Sequence, residues 1–299
     1  MDKYYKEIKD KLIDDEIYAK TKDYSKERHK VITYFETGKL LYEAGNEYGK
    51  SIIDNYSKKL INEVGKKYDK RTLYRMRKLY KVFSDSKVSA LLTLLSWSHY
   101  LEVLTIKNTD ELIFYINLAV NKRLNYRQLH EKIKNKEYER LDEKTKEKII
   151  NDDNLELIDT VKNPILIKNS YNIDIDNISE KFLQRLILED ISGFMNELGD
   201  GFCFIKEEYP IKIGDRYNYI DLLLFNIKYN CYVVVELKVT ELKKEHIGQT
   251  LVYMNYVDKH VKSTIQNKTI GIIIATENNE FVMSYCSDPR ITSRVYELI

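Results

Sequence analysis

The chain has 299 residues, 43% of them hydrophobic and 32% charged, so it is long enough for one large domain or two ordinary ones around packed cores. The formal net charge is +2, and the three cysteines, without CxxC spacing, argue against a structural zinc site. They fit a reducing cytoplasm in which Cys203, Cys231 and Cys286 are buried or half-buried. No apolar run is long enough to span a bilayer, and the opening "MDKYYKEIKDKLIDDE" has no apolar core of the kind a secretory signal needs.

Only three Pro and ten Gly punctuate the chain, which favours long helices, and residues up to about 140 read as helical. "VITYFETGKLLYEAG" has helical apolar spacing and ends on Gly45 as a C-cap, and "SIIDNYSKKLINEVG" repeats the style up to Gly65. In "KKYDKRTLYRMRKLYKVF", Leu73, Met76, Tyr80 and Phe83 form one stripe, with Arg71, Arg75 and Lys78 opposite it. "ALLTLLSWSHYLEVL" is apolar nearly throughout and predicts the central buried helix, with Trp97 and His99 as core residues. "LNYRQLHEKIKNKEYERL" predicts a closing amphipathic helix. The charged stretch 141–165 reads as a junction, dividing the chain into a helical domain over 1–140 and a second domain over 166–299.

The second domain begins with one helix, "SEKFLQRLILEDISGFMNELG", ending on Gly199. It continues β-β-β-α-β, with a further strand expected in the tail. "GFCFIKEEYPIKI" is broken by Pro210, which suits an edge or a bulge. "YIDLLLFN", "CYVVVELKV" and "TIGIIIAT" are the next strands, and "ELKKEHIGQTLVYMNYVDKHV" is the intervening helix. A mixed sheet covered by helices follows.

Three charges interrupt these strands: Asp221, Glu236 and Lys238. With "NIKYN" as a turn, Phe225 sits roughly opposite Cys231 and Asp221 lands beside Val235 and Glu236, while Glu236 and Lys238 share a face. Spacing alone allows an ordinary salt-bridged cluster. It equally allows a site in which two carboxylates, which repel unless a cation or proton sits between them, hold a hard divalent ion such as Mg²⁺.

"IDLLLF" followed by "VVVELK" resembles the Asp…Glu-x-Lys form of the PD-(D/E)xK nuclease core. "ELGDGFCFIKEEYPIKIG" and "EHIGQTLVYMNYVD", with "LSWSHYLEVL" and "NYRQLHEKIKNKEYERL" in the first half, resemble successive blocks of the YhcG-like family of PD-(D/E)xK nuclease-domain proteins. The resemblance implies an all-helical N-terminal domain followed by a restriction-endonuclease-like mixed sheet flanked by helices. It also implies Mg²⁺- or Mn²⁺-dependent phosphodiester hydrolysis and a cytoplasmic prokaryotic setting. Asp221, Glu236 and the carbonyl of Leu237 would hold the metal. Lys238 would orient the attacking water and offset transition-state charge. Gln249 and Tyr253, one helical turn apart, match positions bordering the site, although ordinary helix packing explains them as well. The family favours DNA over RNA and suggests a homodimer. Gln184 stands where the family has a glutamate, with Glu180 and Glu189 nearby. That departure keeps open an alternative, a nucleic-acid-binding or scaffolding module that cuts nothing.

Charge is unevenly distributed. Residues 1–150 carry 33 Lys+Arg and 24 Asp+Glu, a balance of +9, and the remaining residues carry 16 and 23, a balance of −7. A basic helical half facing nucleic acid is expected, with Arg71, Arg75, Arg77 and Lys78 as backbone contacts; in so lysine-rich a chain, a merely solvated helix face fits them too.

Overall fold

The computed structural model describes residues 2–20, 25–49, 51–151 and 153–299. The chain divides into two compact units, Met1–Tyr138 and Glu139–Ile299.

The first unit is helical: α1 (Lys3–Tyr18), α2 (Lys26–Tyr48), α3 (Ile52–Glu63), α4 (Lys70–Phe83), α5 (Trp97–Val103), α6 (Thr109–Asn121) and α7 (Tyr126–Lys134). Four of them start where a short polar side chain takes up free amides: Asp2, Asp69, Asn108 and Asn125. Such caps satisfy donors that have no partner inside the helix. The predicted stripe of α4 is buried through Leu73, Met76 and Phe83, with Leu79 joining them and Tyr80 only half-buried. It packs on α2 at Gly38, where an added Cβ would fall 2.1 Å from the Met76 carbonyl oxygen.

Three helix expectations need correcting. Gly45 does not end α2. The helix runs on to Tyr48 and stops at Gly49, which takes φ +82°, a conformation costly for side-chain-bearing residues. The apolar run from Ala90 is not one helix: a short 3-10 turn and a loop precede α5, and Leu94 is exposed while Trp97, Tyr100 and Val103 are buried. The closing helix is halved, because the chain turns at Asn135 and Lys136 is left-handed (φ +52°).

The second unit holds α8 (Glu143–Ile150), β1 (Ile165–Ile167), α9 (Glu180–Glu189), α10 (Ile191–Leu198), β2 (Phe202–Ile213), β3 (Arg216–Asn226), β4 (Cys231–Leu237), α11 (Lys244–His260), β5 (Ile270–Ala275), α12 (Glu280–Ser284) and β6 (Ile291–Leu298). The strands form one mixed sheet in the order β1-β6-β5-β4-β3-β2. β2, β3 and β4 are antiparallel neighbours, and β4, β5, β6 and β1 run parallel. One face buries Leu222, Val233, Val235 and Ile272 with α9 and α10. The other buries Leu223, Val234 and Ile273 with α11.

The stretch read as a junction contributes to the second unit: among its described residues, Glu143–Ile150 form α8, and Leu157, Val161 and Ile165 enter the sheet's core. The single helix expected before the strands is two, divided at Asp190 (φ −128°, ψ 53°), whose side chain caps α10 through the Gly193 amide. Pro210 sits in β2, an edge strand with a register shift between Phe204 and Lys206. Cys203, expected to be covered, is exposed on that strand, whereas Cys231 is buried and Cys286 half-buried.

Candidate active site

Charged side chains are tolerated in this sheet where its ladder ends. β3 and β4 pair from Asn226↔Cys231 to Leu222↔Val235, so Asp221 and Glu236 are the next two facing residues. The expected register, with Phe225 opposite Cys231, is off by one; Phe225 faces Tyr232. The cause is Asn226. Its buried carboxamide accepts the amides of Lys228 (3.0 Å) and Tyr229 (3.1 Å) and so builds the turn from the last ladder residue. One residue of slip moves a side chain to the opposite face. The observed register is the one that brings Asp221 to the same side as Glu236.

Beyond that point Asp221 Oδ2 accepts the amide of Leu237 at 2.7 Å. The Lys238 ammonium lies 3.6 Å from Glu236 Oε2, 3.7 Å from Glu180 Oε2 and 4.0 Å from Asp221 Oδ2. Glu180 opens α9, one turn before Gln184. Gln184 is buried and donates from Nε2 to the Asp221 carbonyl at 3.0 Å. The family's acidic position is therefore occupied by a residue that pins β3, and the third carboxylate at Lys238 comes from the preceding turn. Glu189 is spent elsewhere, on Arg185 and Tyr171. On the edge strand, Glu208 stands at the register position across from Asp221 with φ +43°, a strained conformation for a non-glycine residue.

Burial pushes the Glu236 carboxyl up to about 8; the Asp221 carboxylate adds to the rise, and Lys238 and the Asp221 amide oppose it. Asp221 is also raised, by burial first, against the pull of the Leu237 amide and Lys238, with Glu180 and Glu208 pushing further up. On α11, Gln249 Nε2 donates to the Tyr253 hydroxyl at 2.8 Å. The Tyr253 phenol is raised by burial, and the charges of Glu236, Asp221 and Lys238 all reach it. His246 closes the start of the same helix by taking the Lys243 amide on Nδ1. Its pKa is lowered by burial and then by Lys238.

Glu236 is 1% exposed, and its Oε1 has no hydrogen-bond partner among the described residues. An unpaired buried carboxylate oxygen is costly. With all three carboxylates ionised, the one ammonium leaves two negative charges, which one divalent cation taking the place of the Glu236 proton would balance. Among the described residues no group of three or more His, Cys, Asp or Glu side chains is arranged to hold a metal. The Asp221 and Glu236 carboxylates with the Leu237 carbonyl are a smaller set, of the kind that suits Mg²⁺, which keeps several waters. The residues present fit such an ion.

In the first unit, Arg71 and Lys78 are exposed and Arg75 is half-buried on the open side of α4. Arg77 is not with them: its guanidinium lies over Tyr42 (5.6 Å) and against Gly45. Trp97 packs edge-on against Tyr34. His99 bridges Ser96 Oγ (2.7 Å) and the Leu124 carbonyl (2.9 Å), a structural role.

Residues 160–295 match the model of the YhcG PDDEXK nuclease domain, and residues 16–140 match the DUF1016 N-terminal domain. The Escherichia coli (strain K12) protein described as "Putative nuclease YhcG" is 25% identical, with 82% of this chain and 76% of that protein covered. Among solved structures, a repair endonuclease from Pyrococcus abyssi is 21% identical and superposes on 41% of this chain with a TM-score of 0.31. An EndoMS–dsDNA complex is 17% identical over 44% of this chain, with a TM-score of 0.30. The match spans under half of each of those two chains, 47%. No helix among the described residues is long and apolar enough to cross a membrane.

Proposed function

The chain belongs to the YhcG-like family of PD-(D/E)xK nuclease-domain proteins, and from that premise we propose that it is a DNA endonuclease dependent on a divalent cation, Mg²⁺ or Mn²⁺. The observation that carries this reading is the buried Glu236 oxygen, without a hydrogen-bond partner among the described residues, in a cluster of three carboxylates and one ammonium. Asp221, Glu236 and the Leu237 carbonyl would hold the cation, with Glu180 as a further acidic group beside Lys238. When bound, the cation supplies positive charge beside the scissile phosphate and lowers the pKa of water.

The chain's own groups do the rest. Lys238 is nearly buried, and its position is fixed by three carboxylates, so its charge is preorganised where negative charge grows on the phosphoryl oxygens. The same ammonium can donate to the attacking water and hold it in line. Asp221 is locked by the Leu237 amide and by the Gln184 bond to its own carbonyl. Gln249 and Tyr253, joined to each other, present polar groups from α11 for positioning the substrate.

The test is two variants on one substrate. Lys238→Ala is expected to keep Mn²⁺ and DNA affinity while single-turnover cleavage falls about a hundredfold or more, the scale of losing one preorganised electrostatic group. Glu236→Ala is expected to lose both the ion and activity. A folded Lys238→Ala protein cutting at the parent rate removes Lys238 from the mechanism. The binding-only alternative draws on Gln184 in the acidic position. A parent protein that binds DNA but neither binds Mn²⁺ nor cuts would establish it.

A further inference from the structure

α11 covers the face of the sheet that carries the site. Val234 is buried there with Tyr253, Met254 and Val257. Sides alternate along a strand, so Glu236 and Lys238 follow Val234 on that face, while Leu237 between them is buried on the other. The side of α11 turned to the sheet is marked by Thr250, Tyr253, Met254 and Val257, all buried. One turn nearer the helix start, that side reaches His246, whose carbonyl accepts the Thr250 hydroxyl at 2.8 Å. His246, Gln249 and Tyr253 thus stand at i, i+3 and i+7 on one face. The charges agree with this placement. Those of Glu236, Asp221 and Lys238 reach Tyr253, and those of Lys238 and Glu180 reach His246.

The His246 ring is half-buried, and its Nδ1 accepts the Lys243 amide at 3.2 Å. A neutral ring that accepts on Nδ1 carries its hydrogen on Nε2. Among the described residues Nδ1 is the ring atom with a partner, so the Nε2 donor is left over. Closing the start of α11 needs one ring nitrogen only, and an asparagine would serve as well. The second nitrogen is a spare donor on the side of Lys238. A phosphodiester oxygen is an acceptor of the kind such donors hold in register.

We propose that His246 is a further substrate-contacting residue, its Nε2–H donating to a non-bridging phosphate oxygen of the DNA strand held beside Lys238. This rests on the nuclease reading above and adds a residue to its site. The experiment uses two variants of the full chain that separate the ring nitrogens. His246→Asn places a carboxamide oxygen where Nδ1 stands and nothing at Nε2, so it keeps the cap and removes the outer donor. His246→Gln places an N–H near the Nε2 position. Duplex affinity is measured in mildly alkaline buffer without divalent cation, single-turnover cleavage with Mn²⁺, and the melting temperature of each protein. His246→Asn is expected to melt with the parent and to lose about tenfold or more of duplex affinity, the scale of one hydrogen bond to a charged group. Its salt slope should stay the parent's, because an uncharged donor neutralises no phosphate. His246→Gln is expected to recover most of the affinity. The proposal is overturned if His246→Asn binds and cuts as the parent does, if its loss is matched by a fall in melting temperature, or if His246→Gln falls as far. A parent that cuts nothing, yet loses duplex affinity in His246→Asn and regains it in His246→Gln, supports the contact and refutes the nuclease reading. A parent that cuts, with His246→Asn unchanged, refutes the contact and leaves that reading standing.

Discussion

A buried glutamate raised to about 8 ties the site to stability as well as to catalysis. Between its unfolded value near 4.5 and about 8, the folded protein without cation holds a proton that the unfolded chain has released. The folded state therefore binds more protons over this window, and stability falls with rising pH. The melting temperature of the cation-free protein is expected to be highest toward pH 5 and to drop as pH rises through 8. Glu236→Gln should flatten that slope. Mn²⁺ replaces the proton, so its affinity should climb across the same window. A melting profile of the parent that is level from pH 5 to 8.5 sinks the assignment.

At the scale of elements, α9 divides its labour over one turn: Glu180 faces Lys238 while Gln184 holds the Asp221 carbonyl. Glu180→Gln is expected to weaken Mn²⁺ binding measured by calorimetry. Adding Gln184→Glu should not restore it, because a glutamate there loses the donor to the carbonyl and brings an acceptor against it. Recovery of affinity in the double variant would show that the position matters more than the observed pairing. The other flank depends on α11 lying close to β5. A Cβ at Gly271 would sit 2.6 Å from both Met254 Sδ and Thr250 Cγ2. Gly271→Ala should therefore lower stability by about 1–3 kcal/mol, as overpacking does, read out by denaturant unfolding. These contacts explain what the sequence could disclose. Asp221, Glu236 and Lys238 were legible because each breaks an apolar run, and the order of strands from β2 to β6 followed from alternation and length. The register was not, because one asparagine side chain decides it. Glu180 and Glu189 were both in view, but which of them reaches Lys238 was not, because a helix's position along its own axis is set by packing and not by periodicity. β1 was too short, at three residues, to leave a pattern.

Over the whole molecule, charge is divided between the two halves of the chain. The +9 balance of residues 1–150 against −7 in the remainder suggests that phosphate affinity lies in the helical half and chemistry in the acidic one. Acidic residues around a cation site cannot themselves attract a polyanion. Backbone affinity of this kind carries a salt signature: each neutralised phosphate adds about 0.9 to the slope of log K against log salt. Arg71, Arg75 and Lys78 share the open side of α4, whereas Arg77 is packed on Tyr42. Replacing the first three with alanine in the full chain should weaken binding to duplexes of any sequence and reduce the slope by about 2.7, or 0.9 for each of three contacts. Arg77→Ala should leave the slope unchanged and lower the melting temperature instead, since its side chain covers helix–helix contacts. A triple variant with the parent's slope would place the phosphate contacts elsewhere and remove this face of α4 from DNA binding.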